Sequence, residues 1–322
     1  MTIRYIDPLS RGWGRMKAAL FQPFDIRKWF VVGFTAFLAG LTDFQGGGGG
    51  SGIKGRDGDV DWNALFYFPD RIREWMSDNP FWFPFLLVAV AIALVLLALL
   101  FWVSSRGKFM FLDNVVRDRS EVSAPWYEYR KEGNSLFLWH AVFSIVFAAL
   151  LIPYLISCFT ALREIWETFG DPRMFIAPGI WMVLGFAGIM MLASFIDLML
   201  ADFVVPLMYR SRVGVLKGWG LFLPLFWSRL LYFVGYAIFY LLLVLVLVFA
   251  IVVGGVVTCC IGFLILALPY IGTVLLLPVH YTFRAFSLEF LEQFGPEYRI
   301  LPGQGPPMFP TVPSGSAGGS GL

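Results

Sequence analysis

A stretch of 54 residues between Arg229 and Arg284 contains no lysine, arginine, aspartate or glutamate. A membrane-spanning helix needs about 20 apolar residues, so this stretch is long enough for two spans. Gly254 and Gly255 lie near its middle, where a turn between the two spans would fall. The alternative is a buried helical hairpin in a large soluble protein. It is disfavoured because several further apolar stretches accompany this one.

The rest of the chain also has the composition of a membrane protein. Charged residues make up 14% of its 322 residues, against about a quarter in soluble domains. We therefore predict an all-α fold, a polytopic transmembrane helical bundle whose membrane domain covers 29–300. The six predicted spans lie near 29–44, 81–104, 135–159, 177–205, 229–253 and 256–282.

The first predicted span, near 29–44, is the shortest and carries two glycines and two threonines. A re-entrant segment is therefore the alternative for this stretch. Residues 1–28 before it form a basic segment that is too long for the n-region of a signal peptide, so no cleavable signal is predicted.

Positive charge decides between these alternatives, because cytoplasmic loops of membrane proteins carry an excess of lysine and arginine. With six spans and the N-terminus inside, 18 of the 24 basic residues fall on the inner side and six on the outer side. A re-entrant first segment would move the six basic residues of 105–134 to the outside. We therefore predict six crossings with both termini in the cytoplasm and residues 1–28 as a cytoplasmic amphipathic segment.

The outer loop 45–80 and the tail 301–322 lack the features of a packed domain. The loop opens with a glycine-rich linker composition, and the tail, rich in Pro, Gly and Ser, is predicted to be disordered. Asp57, Asp59 and Asp61 resemble the start of a calcium loop but lack the glycine and the later glutamate that close one. The three cysteines form no metal-ligand spacing, so no metal site is predicted.

Arginine and tryptophan recur at one spacing before each predicted hairpin. The pairs are Arg4–Trp13, Arg117–Trp126 and Arg210–Trp219. We infer three copies of one unit, an amphipathic interfacial helix followed by a transmembrane hairpin. The candidate interfacial anchors are Trp13, Arg117, Trp126, Arg210 and Trp219.

The first of these interfacial segments has a clear apolar face. Leu9, Trp13, Met16 and Leu20 share one side of the helix, and the basic residues point away from it. Such a helix suits the headgroup layer of the bilayer, with its cations toward anionic lipid headgroups. Packing beneath the bundle is an equally good interpretation, because the same amphipathic pattern serves both.

Six ionisable side chains are predicted near the inner ends of the spans. They are Asp197, Asp202, His140, His280, Arg210 and Arg284. Ionisable groups inside a span are candidates for function, and these would form a small polar cavity that opens to the cytoplasm. The simpler alternative is that the acids pair with His140 or with an arginine to fix helix packing. The prediction of a polar cavity rests only on the depth and the type of these residues, because no sequence motif supports it.

The sequence contains no catalytic or cofactor motif. It lacks H-E-x-x-H, G-x-S-x-G, a Walker loop and G-x-G-x-x-G, so we predict neither an enzyme nor a cofactor. The net charge of +2 gives no reason to expect a nucleic-acid partner.

Several stretches resemble an uncharacterised family of bacterial membrane proteins. They are Phe111–Arg117, Ala124–Arg130 with Gly133–Ser135, Asp202–Pro206, and Phe283–Phe286 with Phe290 and Phe294–Pro296. The layout is also similar to the membrane domain associated with some glycerophosphodiester phosphodiesterases. No phosphodiesterase domain is present in these residues, so that activity is not implied. The resemblance implies a multi-pass protein of the bacterial cytoplasmic (inner) membrane.

Three functions are consistent with these features. The favoured one is a non-catalytic membrane protein that organises or binds lipid or a partner membrane protein, because basic aromatic segments are present and catalytic motifs are not. The alternative is a transporter or permease for a small or lipidic solute, since repeated hairpins are common in transporters. An intramembrane enzyme is the third.

Overall fold

The computed structural model describes residues 3–42, 62–258 and 261–301, and within these ranges the chain is helical without any β-strand. The predicted glycine-rich linker, the three loop aspartates, Cys259, Cys260 and residues 302–322 lie outside the described residues. The helices are α1 (Ile6–Phe21), α2 (Ile26–Ala39), α3 (Trp62–Phe66), α4 (Phe68–Asp78), α5 (Trp82–Arg117), α6 (Ser123–Glu128), α7 (Arg130–Phe169), α8 (Ile176–Met199), α9 (Val205–Ser211), α10 (Val215–Ser228), α11 (Leu230–Val257), α12 (Ile261–Ala267), α13 (Pro269–Leu275) and α14 (Leu277–Glu292), with a π turn (Leu200–Val204) between α8 and α9 and 3₁₀ turns at Pro172–Phe175 and Pro296–Tyr298.

Four helical stretches of the described residues are long and apolar enough to cross a membrane. They are α5, α7, the stretch Pro172–Ser211 that contains α8 and α9, and α11. They overlap the predicted spans near 81–104, 135–159, 177–205 and 229–253. The described residues therefore form an all-helical membrane protein.

The two other predicted spans correspond to shorter helices. α2 has 14 residues and is about 21 Å long, less than the hydrocarbon thickness of about 30 Å. α13 and α14 meet at a bend of 63°, because Pro278 in the first turn of α14 has no backbone N–H with which to continue α13. The structure supports four crossings, or five if this bent pair is one span. The arrangement of six spans in three hairpins stays a prediction.

Charged residues mark where the long helices leave the hydrocarbon. α7 has 22 uncharged residues between His140 and Arg163, and 23 separate Arg173 from Asp197 in the next crossing. At 1.5 Å per residue each run is about 33–35 Å long, which matches the hydrocarbon core. We call the end where α5 finishes at Arg117 the arginine-rich end.

The described ends of the chain meet at the arginine-rich end. The backbone N–H of Arg4 donates to Gln293 Oε1 at 3.0 Å, and Gln293 Nε2 donates to the carbonyl of Arg4 at 2.9 Å. The N-terminal segment and the residues after α14 therefore lie on the same side of the bundle.

The buried core is also concentrated at this end. Phe203 of the π turn, Tyr236 of α11 and Phe290 of α14 are fully buried, and their ring centroids lie 4.7–6.0 Å apart. In contrast, none of the most apolar 18-residue stretch of α5, α7 or α11 is buried. The helices pack together at the arginine-rich end and expose their uncharged lengths, as a lipid environment permits.

The amphipathic helix α1 packs along α14. Arg11 and Arg15 of α1 both pair with Glu289 of α14, at 3.1 Å and 2.6 Å, and the Glu289 side chain is almost fully buried. Trp13 is half exposed, with Lys17 Nζ 5.5 Å from the centroid of its ring. These ion pairs favour the packing interpretation of α1, and contact with lipid headgroups stays a prediction.

The second half of the predicted outer loop forms the short helices α3 and α4. Asp70 of α4 pairs with Arg163 of α7 at 3.0 Å, and Asn63 Oδ1 accepts a hydrogen bond from the indole of Trp166 at 2.9 Å. The residues from Trp62 onward are thus held against the end of α7 opposite the arginine-rich end.

We expect Gly107→Ala to lower the thermal unfolding temperature of the detergent-solubilised protein. A Cβ at Gly107 would lie 2.6 Å from backbone atoms of Leu38 and Ala39, so α2 would have to move away from α5. Gly188→Ala is the matched control, since a Cβ there has no atom within 4 Å. Equal unfolding temperatures for the two variants would contradict the close packing of α2 on α5.

Candidate functional site

The structure pairs four of the six predicted polar residues. His140 Nε2 lies 3.6 Å from Asp197 Oδ1, and His140 Nδ1 lies 3.0 Å from the carbonyl of Leu136. Ser105 Oγ, on α5, is 3.5 Å from the same Nδ1. The pair therefore joins α5, α7 and α8 at the end of their uncharged runs.

The second pair, Asp202 and Arg284, lies at the π turn. Pro206 has no N–H, so in π-helical register the carbonyl of Ala201 has no main-chain donor. Arg284 Nη1 supplies one at 2.8 Å and lies 3.7 Å from Asp202 Oδ1. Tyr236 donates its hydroxyl hydrogen to Asp202 Oδ2 at 2.8 Å. Both pairs match the alternative in which the acids fix helix packing, and a shared polar cavity stays a prediction.

The other predicted residues lie in different surroundings. His280 Nδ1 is 3.0 Å from the carbonyl of Leu276. Trp219 packs against Trp139 with ring centroids 5.6 Å apart. Trp126 packs against Arg106, and Arg117 and Arg210 line a cleft described below.

Sequence reasoning missed a buried carboxylate, Asp113, in the last turns of α5. Its side chain is fully buried between two arginines, with Arg117 Nε at 3.1 Å and Arg119 Nε at 2.7 Å. The hydroxyls of Tyr129 and Tyr209 donate to its Oδ1 at 3.2 Å and 2.9 Å. The only local signal is the four-residue spacing of Asp113 and Arg117 on one helix.

A second carboxylate, Glu128, closes the arginine cluster from α6. It pairs with Arg117 at 3.2 Å and with Arg212 at hydrogen-bond distance. Burial raises the pKa of Glu128, but the hydrogen bond from Arg212 and the charge of Arg117 outweigh it, so the pKa lies below its ordinary value. Glu128 is therefore ionised at neutral pH.

Tyr129 connects Asp113 to Arg212. The Arg212 guanidinium carbon lies 3.9 Å from the centroid of the Tyr129 ring, which stacks on Tyr209 at 4.8 Å. Burial, the hydrogen bond with Tyr209 and the charge of Asp113 raise the pKa of Tyr129. Its hydroxyl therefore stays protonated and available to donate to Asp113.

An arginine-rich cleft of about 420 Å³ lies beside this cluster. The cleft is lined by Val116, Arg117, Tyr129, Tyr209, Arg210, Arg212, Arg299 and Ile300. Four of the eight are arginines, and none is acidic. Arg210 takes part in no ion pair among the described residues, and Arg299 has Glu292 at 3.1 Å. Such an arrangement is suited to an anion, because arginine presents paired N–H donors that match phosphate and carboxylate oxygens.

The described residues contain no group of three or more His, Cys, Asp or Glu side chains placed to hold a metal ion.

Comparison with known proteins identifies the family of the chain. The sequence profile of a family of unknown function, DUF7544, matches residues 4–286. The chain belongs to this family. No curated protein and no solved structure matches it. The predicted resemblance to an uncharacterised family is confirmed, whereas no comparison links the chain to glycerophosphodiester phosphodiesterases.

We expect Asp113→Asn to destabilise the protein by about 3 kcal/mol, because it leaves Arg117 and Arg119 without their buried counter-ion. Asp118→Asn is the control, since Asp118 is more than half exposed and its pair with Lys28 contributes less than about 1 kcal/mol. Thermal unfolding in detergent measures both variants. A similar small shift for the two would show that Asp113 does not hold the cluster together.

Proposed function

We propose that this protein is a non-catalytic, multi-pass membrane protein that binds a phosphate-bearing ligand in its arginine-rich cleft. The observation that carries the proposal is a cleft lined by four arginines and no acid. Its arginines come from α5, from α9 and the turn after it, and from the segment after α14, so the site depends on the folded arginine-rich end. Binding of such a ligand is a specific form of the lipid- or partner-binding role that the sequence predicts.

The internal ion pairs leave part of this positive charge unneutralised. Asp113 and Glu128 form ion pairs with Arg117 and Arg212, but neither carboxylate lines the cleft. Arg210 has no ion pair among the described residues, and its side chain is exposed. A phosphate in the cleft would meet Arg210 and Arg299 without displacing the carboxylate of Asp113 or of Glu128.

We also propose that the arginine-rich end faces the cytoplasm of a bacterium, with six crossings and both termini inside. The excess of lysine and arginine at this end supports the orientation, with 18 residues against six. The meeting of the described chain ends beside α14 supports an even number of crossings.

Depth separates the cleft from the hydrocarbon boundary. Arg106 is the first charged residue after a run of 27 uncharged residues, 24 of them in α5, and Arg117 lies 11 residues further along the same helix. This rise is about 16 Å, which exceeds the headgroup layer of about 5–8 Å on each side of the bilayer. The phosphate therefore belongs to a soluble molecule or to a lipid headgroup that extends from the surface.

We expect inorganic phosphate, or added short-chain phosphatidylinositol 4-phosphate, whose second phosphate extends beyond the glycerol phosphate, to raise the unfolding temperature of the protein in phosphatidylcholine nanodiscs. The double variant Arg210→Gln/Arg299→Gln should bind at least tenfold more weakly, because each charge-assisted hydrogen bond contributes about 1.5–3 kcal/mol. Arg71→Gln/Arg73→Gln at the opposite end is the matched control and should bind as the unmodified protein does.

The two probes distinguish the sources of the phosphate. Stabilisation by inorganic phosphate indicates a soluble ligand, and stabilisation by phosphatidylinositol 4-phosphate alone indicates an extended lipid headgroup. The proposal fails if neither probe stabilises the protein, or if the control double variant loses as much binding as the cleft variant.

The orientation has its own test in two exposed serines at opposite ends of the spans. In a background without native cysteines, Ser123→Cys should react with a membrane-impermeant thiol reagent from the cytoplasmic side only. Ser77→Cys should react from the outer side only. The reverse pattern would invert the proposed orientation.

Transport is the second candidate function, and an intramembrane enzyme is the third. The π turn that contains Asp202 favours transport, since such irregular turns are frequent at functional sites. Against it, the most apolar stretches of the crossings are exposed and offer few polar groups to line a path. Solute flux in proteoliposomes would distinguish transport from ligand capture.

A further inference from the structure

A second cationic group, apart from the cleft, lies where α5 leaves its uncharged run. The Arg106 guanidinium carbon is 4.4 Å from the ring centroid of Trp102 and 4.9 Å from that of Trp126. The two indoles meet edge to face at 5.6 Å. A Cβ at Gly133 would lie 2.9 Å from Arg106 Cγ, so this glycine makes room for the arginine. We call Trp102, Arg106, Trp126 and Asn134 the arginine cage.

Asn134 of α7 fixes the direction of the hydrogen-bond donors in this cage. Its Oδ1 accepts from Trp102 Nε1 at 3.1 Å, from Arg106 Nε at 3.3 Å and from Arg106 Nη2 at 3.0 Å. The amide nitrogen of Asn134 must then point away from these donors. Within the described residues no acceptor binds Asn134 Nδ2 or Arg106 Nη1. The cage thus presents N–H donors from two side chains without an acceptor.

The charge around the cage is positive. Arg106 takes part in no ion pair among the described residues, and Arg130 lies close enough to act on it electrostatically. A group with an anionic oxygen is therefore attracted, and a group that carries an ammonium beside its phosphate gains less.

The position of the cage is that of a phospholipid phosphate. Arg106 follows 27 uncharged residues, so it lies at the hydrocarbon boundary, where tryptophan is also enriched. Val95 and Leu99 continue the Trp102 side of α5 toward the hydrocarbon, and each is at least half exposed. An acyl chain can lie along these residues while the phosphate meets Arg106.

We propose that the arginine cage binds the phosphodiester of an anionic phospholipid such as phosphatidylglycerol. One phosphate oxygen accepts from Arg106 Nη1 and a second from Asn134 Nδ2, and the indoles hold the guanidinium in place. This site is independent of the proposed cleft function, because the two share no residue and lie about 16 Å apart along α5.

The test is Asn134→Asp, measured by native mass spectrometry with phosphatidylglycerol and phosphatidylethanolamine. Aspartate keeps the acceptor for Trp102 and Arg106 and adds an ion pair, so the fold is retained. The added negative charge neutralises Arg106 and removes the amide donors. We expect phosphatidylglycerol binding to fall at least tenfold, with an unfolding temperature equal to or above that of the unmodified protein.

Asn79→Asp at the opposite end introduces the same charge outside the cage and should leave lipid binding unchanged. All measurements use the Arg210→Gln/Arg299→Gln background, which removes any contribution from the cleft. If Asn134→Asp does not fold, Arg106→Gln replaces it, with the same expected loss. Unchanged phosphatidylglycerol binding in the folded variant, or equal retention of the two lipids by the parent protein, would overturn the proposal.

Discussion

The arginine-rich end depends on the buried carboxylate of Asp113. A carboxylate in the protein interior carries a desolvation penalty of several kcal/mol unless ion pairs and hydrogen bonds compensate it. Here Arg117 and Arg119 supply the charge, and the hydroxyls of Tyr129 and Tyr209 supply two further donors. These four residues come from the end of α5, the turn after it, the α6–α7 junction and α9. One carboxylate therefore fixes the relative positions of three helical segments and directs two tyrosines and Arg117 toward the cleft.

The concentration of packing at one end follows from the two solvents that surround such a chain. At the arginine-rich end, aromatic side chains such as Phe203, Tyr236 and Phe290 form a common core, which removes their apolar surface from water. Within the hydrocarbon there is no such force between spans, because lipid tails are as apolar as leucine. The crossings can therefore separate, and the few contacts between them are specific ones. The hydroxyl of Tyr154, for example, donates to the carbonyl of Met182 at 2.6 Å.

Four crossings were predictable because a run of more than 20 uncharged residues has few alternatives to a spanning helix. The segments at 29–44 and 256–282 were harder to predict, since hydropathy does not show where a helix stops. α2 ends at Ala39, and Pro278 separates α13 from α14. The candidate site was even less visible. Intramembrane depth selects Asp197 and Asp202, both of which serve packing pairs, whereas the partners of Asp113 extend to Tyr209, 96 residues away. No local pattern contains that contact.

The arginines of this protein fall into two groups, those that pair with a carboxylate and those that do not, and both proposed ligand sites include arginines of the second group. Arg11, Arg15 and Arg284 face buried carboxylates and connect helices. Arg210 and Arg106 have no carboxylate partner among the described residues, although each is held within the folded arginine-rich end. A structural role alone would favour pairing such charges, because each unpaired cation attracts anions from solution. Arg106 and Arg117 are also 11 residues apart, close to three helical turns, so the cage and the cleft fall on nearly the same side of α5. This charge distribution therefore favours anionic ligands at two depths along one face of α5.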